Sequence, residues 1–531
     1  MLAQVDGGYI LQKTNKIDHE SRNWIALTAL CIGVFMSLLD VTIVNVALPT
    51  IQKDLSESFS NLQWIINAYT ISYAVFLLLA SKLADLFGRK KVFLIELAVF
   101  TLGSLASGLA QNGMQLNIFR AIQGIGGAGM MSISMAIVAA TFSGKERGIA
   151  FGIWSSVIGF ATAIGPLLGG FLVQMISWRA IFMINIPVGI IALFLSVYYI
   201  EESYGSEKGR IDWLGMLISV AMIFFLIIGL IQKELHTSWS WTNIHIAGPL
   251  VLGFLFLLIF IYLENFLKSP MIDLSIFKSW SFDGAVIAAF CLGASLYAFF
   301  TYLTVWMQNY IGYSAIQTGI RQLAISLFSL VLGPIIGILS NRLSKKWMIT
   351  VGLLLIAGGF LVIDQTVSTT VVYADFVWGF VLMGIGNAVI NPPLSSVAMD
   401  SVELKHIGMA SGAINVFRQL GVSFGIVSLG LKLTDGYNPA VTNNFAKLAL
   451  QKNTKSELIR ALHSAGPISG KTVIKAAKNY TLKYPDGNHL FHQMSQAIYL
   501  AFNTGYKSVL SLAIGFAVIG SLGAFLLIRK K

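Results

Sequence analysis

A chain of 531 residues with 56% hydrophobic side chains, only 11% charged ones and 50 glycines does not have the composition of a soluble globular domain. Its net charge of +12 fits basic loops meeting anionic headgroups and gives no ground for a nucleic-acid partner. The two cysteines, Cys31 and Cys291, both fall inside apolar runs, which argues against a disulfide framework or a thiolate metal site.

The first 23 residues carry Asp6, Lys13, Lys16, Asp18, Glu20 and Arg22 without an apolar core, so they read as a cytoplasmic segment and not as a cleaved signal peptide. Beyond them, apolar runs of about twenty residues, enough to cross roughly 30 Å of hydrocarbon, recur along the chain. Fourteen spans are predicted, near 24–49, 61–80, 92–110, 115–139, 149–174, 181–200, 213–231, 244–263, 283–306, 318–339, 347–364, 372–396, 409–433 and 505–528. With the N-terminus inside, the cytoplasmic loops collect most Lys and Arg, while the short outer loops hold Lys53, Arg179, Lys233 and Arg321. That bias predicts cytoplasmic termini.

The first span contains Asp40 in LDVTIVNVALP, where no other charge stands near it. An intramembrane acid is a functional candidate, the alternative being a carboxylate paired for structure. The loop after the second span, SKLADLFGRKK, sets Asp85 before Gly88, Arg89 and Lys90. A turn-permitting glycine between an acid and two cations suits a charge latch against neighbouring helix ends. A second loop, GILSNRLSKKW from Gly337 to Trp347, repeats it, with Asn341 opposite Asp85 and Ser344 opposite Gly88. Duplicated halves place a transporter's substrate site between them, near the midplane, although a basic loop alone is also the ordinary inside signal.

The fourth span holds NIFRAIQGIGGAG. Counting 1.5 Å per residue, Arg120 and Asp40 differ in depth by roughly 6 Å, so Arg120 is the expected partner of Asp40, with snorkelling to the interface the alternative. Gln123 shares its helical face, and Gly124 and Gly127 admit a close neighbour. The fifth span carries Gly152, Gly159, Gly165, Pro166, Gly169 and Gly170. Its glycines make a flat packing surface and its proline favours a bend. Gly165 and Gly169 are expected to pack against a span of the other half. The spans at 213–263 have few polar residues and are expected to be peripheral.

Candidate cavity residues are Trp64, Asn67, Tyr69, Gln123, Met131, Tyr297, Phe300, Asn387 and Asn391, apolar or amide side chains that suit an adaptable pocket. Arg418 joins them as a second buried cation, read equally well as a structural arginine bonded to backbone carbonyls. The segment from Leu433 to Thr504 contains FAKLALQKNTKSELIRALHS, with helix-compatible spacing, and suits either a vestibule cap or a solvated excursion. His489 and His492 alone make a weak metal case, and none is expected. With no P-loop, H-E-x-x-H or dinucleotide fingerprint, the chain is not expected to be an enzyme, and transport work would draw on an ion gradient.

These pieces resemble the major facilitator superfamily over nearly the whole chain. SKLADLFGRKK is similar to that family's loop signature G-x-L-a-D-r-x-G-r-K, with Ser81 and Leu86 as departures, and the resemblance implies a cytoplasmic gate at Asp85, Gly88, Arg89 and Lys90. NIFRAIQGIGGAG resembles the family's buried-arginine motif, and the segment ending GPLLGG resembles its antiporter motif. LDVTIVNVALP, WRAIFMINIPVG and GMASGAINVFRQLGVSFG are similar to the 14-span drug/proton antiporters.

The resemblance implies an all-α polytopic membrane protein of the major facilitator fold. Two six-helix bundles at 24–200 and 283–528 would flank an inserted pair at 213–263, with an outer loop at 434–504 and a cytoplasmic tail at 529–531. It implies a proton-coupled antiporter exporting lipophilic or amphipathic small molecules, with Asp40 and Arg120 coupling protons and no cofactor beyond the proton gradient. Its partners would be substrate, protons and lipid in a bacterial plasma membrane, and the protein would be monomeric. The alternatives are export of an endogenous lipid or metabolite, or a non-transporting sensor on this fold.

Overall fold

The computed structural model describes residues 3–57, 59–205, 212–236, 239–267, 270–369, 371–403, 406–448, 450–482 and 487–529. Among these residues there are helices and no strands. The first half comprises α1 (Ala3–Leu55), α2 (Phe59–Phe87), α3 (Arg89–Gly108), α4 (Gly113–Thr141), α5 (Gly144–Met175), α6 (Ala180–Met183) and α7 (Asn185–Tyr199). Next come α8 (Trp213–Leu235) and α9 (Ile244–Glu264). The second half comprises α10 (Trp280–Leu292), α11 (Ala298–Val305), α12 (Ala315–Leu339), α13 (Lys345–Thr366), α14 (Tyr373–Asp400), α15 (Ile407–Ala446), α16 (Lys452–Ala465), α17 (Gly470–Thr481) and α18 (Gly487–Leu527).

Thirteen helical stretches among the described residues are long and apolar enough to cross a membrane, and α5 supplies a fourteenth as two segments bent by 44° between Thr162 and Ile164. Pro166 accounts for the bend, because it offers no N–H to the Thr162 carbonyl and its ring crowds that group. The ninth span continues from Trp280 to Tyr310 through π-helical turns at 293–297 and 306–310.

Lipid tails are as apolar as leucine, so the helices associate through close packing at small residues. A Cβ built on Gly126 of α4 would lie 2.5 Å from the Glu96 carbonyl oxygen of α3, and one on Gly386 of α14 would lie 2.6 Å from that of Gly352 in α13. Backbones come together at these points because no side chain intervenes.

The inserted pair is more than peripheral. Its outer helix α9 is largely exposed, but α8 packs on both α2 and α15 and so lies along the edge where the two halves meet. Lys82 of α2 ties this region down by donating to the Pro270 carbonyl at 2.7 Å.

The long segment near the end of the chain is folded. α15 runs on to Ala446 and α18 begins at Gly487, with α16 and α17 between them. Asn309 donates to the Ile468 carbonyl at 2.7 Å, and Tyr310 stacks on Phe502 with ring centroids 3.5 Å apart. His489 meets Gln493 at 3.0 Å, and the described residues contain no cluster of three or more metal-binding side chains.

Candidate functional site

Asp40 and Arg120 form an ion pair between α1 and α4, with both side chains almost fully buried. Gln123, one turn beyond Arg120, donates to the second Asp40 oxygen at 2.9 Å and accepts from Arg120 at 2.9 Å. The guanidinium also donates to the Ile65 carbonyl at 3.2 Å and lies 4.3 Å over the Tyr69 ring. Tyr69 in turn donates to the Ser37 carbonyl at 2.8 Å. Tyr69, expected in the cavity, therefore serves as the floor beneath Arg120. Both oxygens of this buried carboxylate are thus held by protein donors, one by Arg120 and the other by Gln123.

The Asp85 loop meets the other half. Gly88 adopts φ 105°, a left-handed turn that favours glycine and brings Arg89 back onto Asp85, whose Oδ1 accepts from Nε at 2.9 Å and Nη2 at 2.7 Å. Lys90 donates through Nζ to the Val197 carbonyl at 2.6 Å. The free Asp85 oxygen abuts Gly408 in the first turn of α15, where any Cβ would collide with it. A carboxylate is favoured at such a helix N-terminus. Ser81, which departs from the family pattern, is matched by Gly412 opposite, where a built Cβ would come 2.7 Å from its hydroxyl.

The repeated loop makes the mirror-image contact. Asn341 donates to the Lys145 carbonyl at 3.2 Å and faces Gly148 in the first turns of α5. Charge is supplied there by Asp400, which accepts from Lys345 at 2.6 Å and from Arg147 of the first half at 3.3 Å. All these contacts lie at one end of the molecule, which we call the basic end. Asp85→Asn is expected to deplete the conformer held shut there by about five- to thirtyfold, matching the ~1–2 kcal/mol a partly buried charge gains at a helix terminus. Labelling of a cysteine introduced at Ala410 should rise accordingly, and unchanged labelling would remove the latch role.

The glycines of α5 divide between two neighbours, which corrects one expectation. Gly148, Gly152 and Gly159 face α12 of the other half. A Cβ on Gly152 would lie 2.5 Å from the Gly333 carbonyl oxygen, and one on Gly159 would lie 2.8 Å from Ser329 Cβ. Gly165 and Gly169 instead face α1 of their own half, where built Cβ atoms would lie 2.7 Å from Thr42 Cβ and 2.9 Å from Ile43 Cγ1. At about 100° per residue, Gly165 is turned about 120° away from Gly159. Pro166 and Gly170 are buried beside them.

Of the remaining cavity candidates, Trp64, Asn67, Tyr297 and Phe300 are part-buried and Met131 is buried. Asn387 and Asn391 form a buried amide pair at 2.7 Å, reached by the Tyr297 hydroxyl at 3.3 Å from Asn387 Oδ1. Asn387 also donates to Ser329 at 2.9 Å, which brings the cluster to the α5 crossing at Gly159. Arg418 is buried, with Nη1 donating to Asn415 at 3.4 Å.

Several contacts escaped the sequence reading. Glu202 accepts from the Lys90 and Lys91 backbone N–H groups at 2.9 and 3.1 Å, closing the N-terminus of α3, and nothing in its local sequence signals that reach. At the end opposite the basic one, Asp54 accepts from Trp178 at 2.8 Å and Arg179 at 2.7 Å. Those donors hold its carboxyl below the usual range, so this tie is kept at neutral pH and released as pH falls through the lowered value. Gly333 was legible, since G-P-x-x-G occurs both at 165–169 and at 333–337.

Two helical halves with thirteen to fourteen candidate spans among the described residues, and a buried acid–arginine pair inside the first half, define a polytopic membrane protein. Residues 30–426 match the Major Facilitator Superfamily, and the chain belongs to that family. It is 33% identical over 449 residues to "Multidrug resistance protein Stp" of Mycobacterium tuberculosis, covering 83% of this chain and 82% of that protein. It is 30% identical over 432 residues to the "Tetracenomycin C resistance and export protein" of Streptomyces glaucescens, covering 81% and 80%. Over 425 residues it is 31% identical to "Multidrug transporter protein MdtP" of Bacillus subtilis, covering 79% and 76%. Among solved structures, the proton:xylose symporter XylE shares the fold with a TM-score of 0.61 at 13% identity, covering 96% of this chain and 97% of that one.

Proposed function

We propose that this protein is a proton-coupled antiporter that exports lipophilic or amphipathic small molecules across a bacterial plasma membrane by alternating access, with its basic end and both termini in the cytoplasm. The observation that carries the reading is the buried Asp40–Arg120–Gln123 cluster. A proton arriving from outside neutralises Asp40 and dissolves its attraction to Arg120, which keeps Gln123 and the Ile65 carbonyl as partners. α1 is then free to shift against α4, and the shift passes to α5 where Thr42 and Ile43 rest on Gly165 and Gly169. Release of the proton inside restores the pair, while substrate moves the other way. The names of the relatives support a drug-like substrate, and the bent, glycine-rich α5 supports exchange over import.

Purified protein in liposomes with an imposed pH gradient tests this reading. Uphill movement of an amphipathic dye that collapses with an uncoupler is expected. Dye movement without dependence on the gradient would overturn coupling, and no movement of any compound would favour the sensor.

A further inference from the structure

Arg418 has no adequate partner. One face of α15 runs along the first half of the molecule: Gly408 meets Asp85, Ser411 donates to the Ser132 carbonyl at 2.6 Å, Gly412 meets Ser81, and Asn415 approaches Met135. Arg418 is the next residue on that face, three positions on. Its side chain is only 6% exposed, and Nε and Nη2 have no hydrogen-bond partner. The single bond it makes, to Asn415 at 3.4 Å, is long and goes to a side chain. A structural arginine would spend its N–H groups on backbone carbonyls, and among the described residues none accepts from it. Asp40 is already taken by Arg120 and Gln123.

The face of α15 that carries Arg418 packs on the first half at Asp85, Ser81 and Ser132, so Arg418 stands on the side of α15 turned toward that half. A buried guanidinium without a counter-charge is costly unless an acceptor arrives. Its two idle N–H groups fit a planar two-oxygen anion.

We propose that Arg418 recognises an anionic head, a carboxylate or an enolate of a β-dicarbonyl, on the transported molecule, so that the substrates of this protein are amphipathic monoanions. The proposal rests on the export reading and names the substrate class for it. Arg120 lies over Tyr69 at 4.3 Å, Tyr69 stacks on Tyr73 with ring centroids 5.8 Å apart, and α2, which carries both tyrosines, packs on α15. Export of a monoanion against one entering proton moves two charges in the direction favoured by an inside-negative potential. Each is worth about fiftyfold in the transport equilibrium per 100 mV.

Binding of dansylglycine, a fluorescent monoanion, and of its neutral methyl ester to the detergent-purified full chain gives the test. The acid should bind at least about tenfold more tightly than the ester, as expected for a charge-assisted hydrogen bond. Arg418→Gln should bring that ratio close to one, while Arg418→Lys, which keeps the charge and loses the fork, should retain part of it. A ratio unchanged in Arg418→Gln would overturn the proposal. If the variant fails to fold, a wild-type protein that does not prefer the acid overturns it equally. Uncoupler-sensitive uphill transport of ester and acid alike would sink the anion preference and leave the export reading standing. Arg418-dependent binding of the acid without gradient-driven transport would do the reverse.

Discussion

Asp40→Asn is expected to insert and fold but to accumulate no substrate above equilibrium under a pH gradient. Asparagine keeps the shape of the side chain, and its amide oxygen can still accept from Arg120 or from Gln123, the two donors to Asp40. It cannot bind and release a proton, so on the proposed mechanism the gradient can no longer bias the two orientations. The substitution also leaves Arg120 buried without a counter-charge, and removing one partner of a buried pair costs about 3–5 kcal/mol. The variant should therefore unfold at a clearly lower temperature than wild type. Adding Arg120→Gln should recover much of that stability and none of the uphill transport. Recovery of both, or uphill transport by Asp40→Asn at the wild-type rate, would mean that another group couples the proton.

The pairing of Asp40 with Arg120 was legible because both charges sit in apolar spans, and a helix converts sequence position into depth at a fixed rise. The Asp85 loop was legible because a charge cluster at a turn has few uses. Rotation about a helix axis was harder to read, because a six-residue step separates Gly159 from Gly165 by about a third of a turn and the Pro166 bend adds to it. Both glycines belong to one motif, yet one serves the crossing between halves and the other the seat of α1. The position of α8 could not be read either, since an apolar helix may face lipid on every side or lie over a seam, and composition is the same in both cases. Glu202 reaches α3 only through the path of the chain after α7, which no local pattern encodes.

Gly165→Leu is expected to insert at the wild-type level and to lose coupled exchange by about tenfold or more, opening a proton leak. Insertion follows span hydrophobicity, which leucine raises. The damage comes from packing: a built Cβ at this position would already lie 2.7 Å from Thr42 Cβ, two residues beyond Asp40, so a whole leucine side chain must push α1 away from α5. Overpacking of this kind costs about 1–3 kcal/mol, and here the strain falls on the helix that carries Asp40. Gly248→Leu in α9 is the control, because a Cβ there meets only Ile244 of its own helix at 3.6 Å. Gly152→Leu is the sharper comparison, since its Cβ would strike the Gly333 carbonyl of the other half, well away from Asp40. If the α1 seat is what matters, Gly165→Leu and Asp40→Asn should couple in a thermal-stability cycle by about 0.5–3 kcal/mol, whereas Gly152→Leu and Asp40→Asn should add. Equal proton fluxes in Gly165→Leu and Gly248→Leu would reduce the motif to ordinary helix packing and take away the main support for exchange over import.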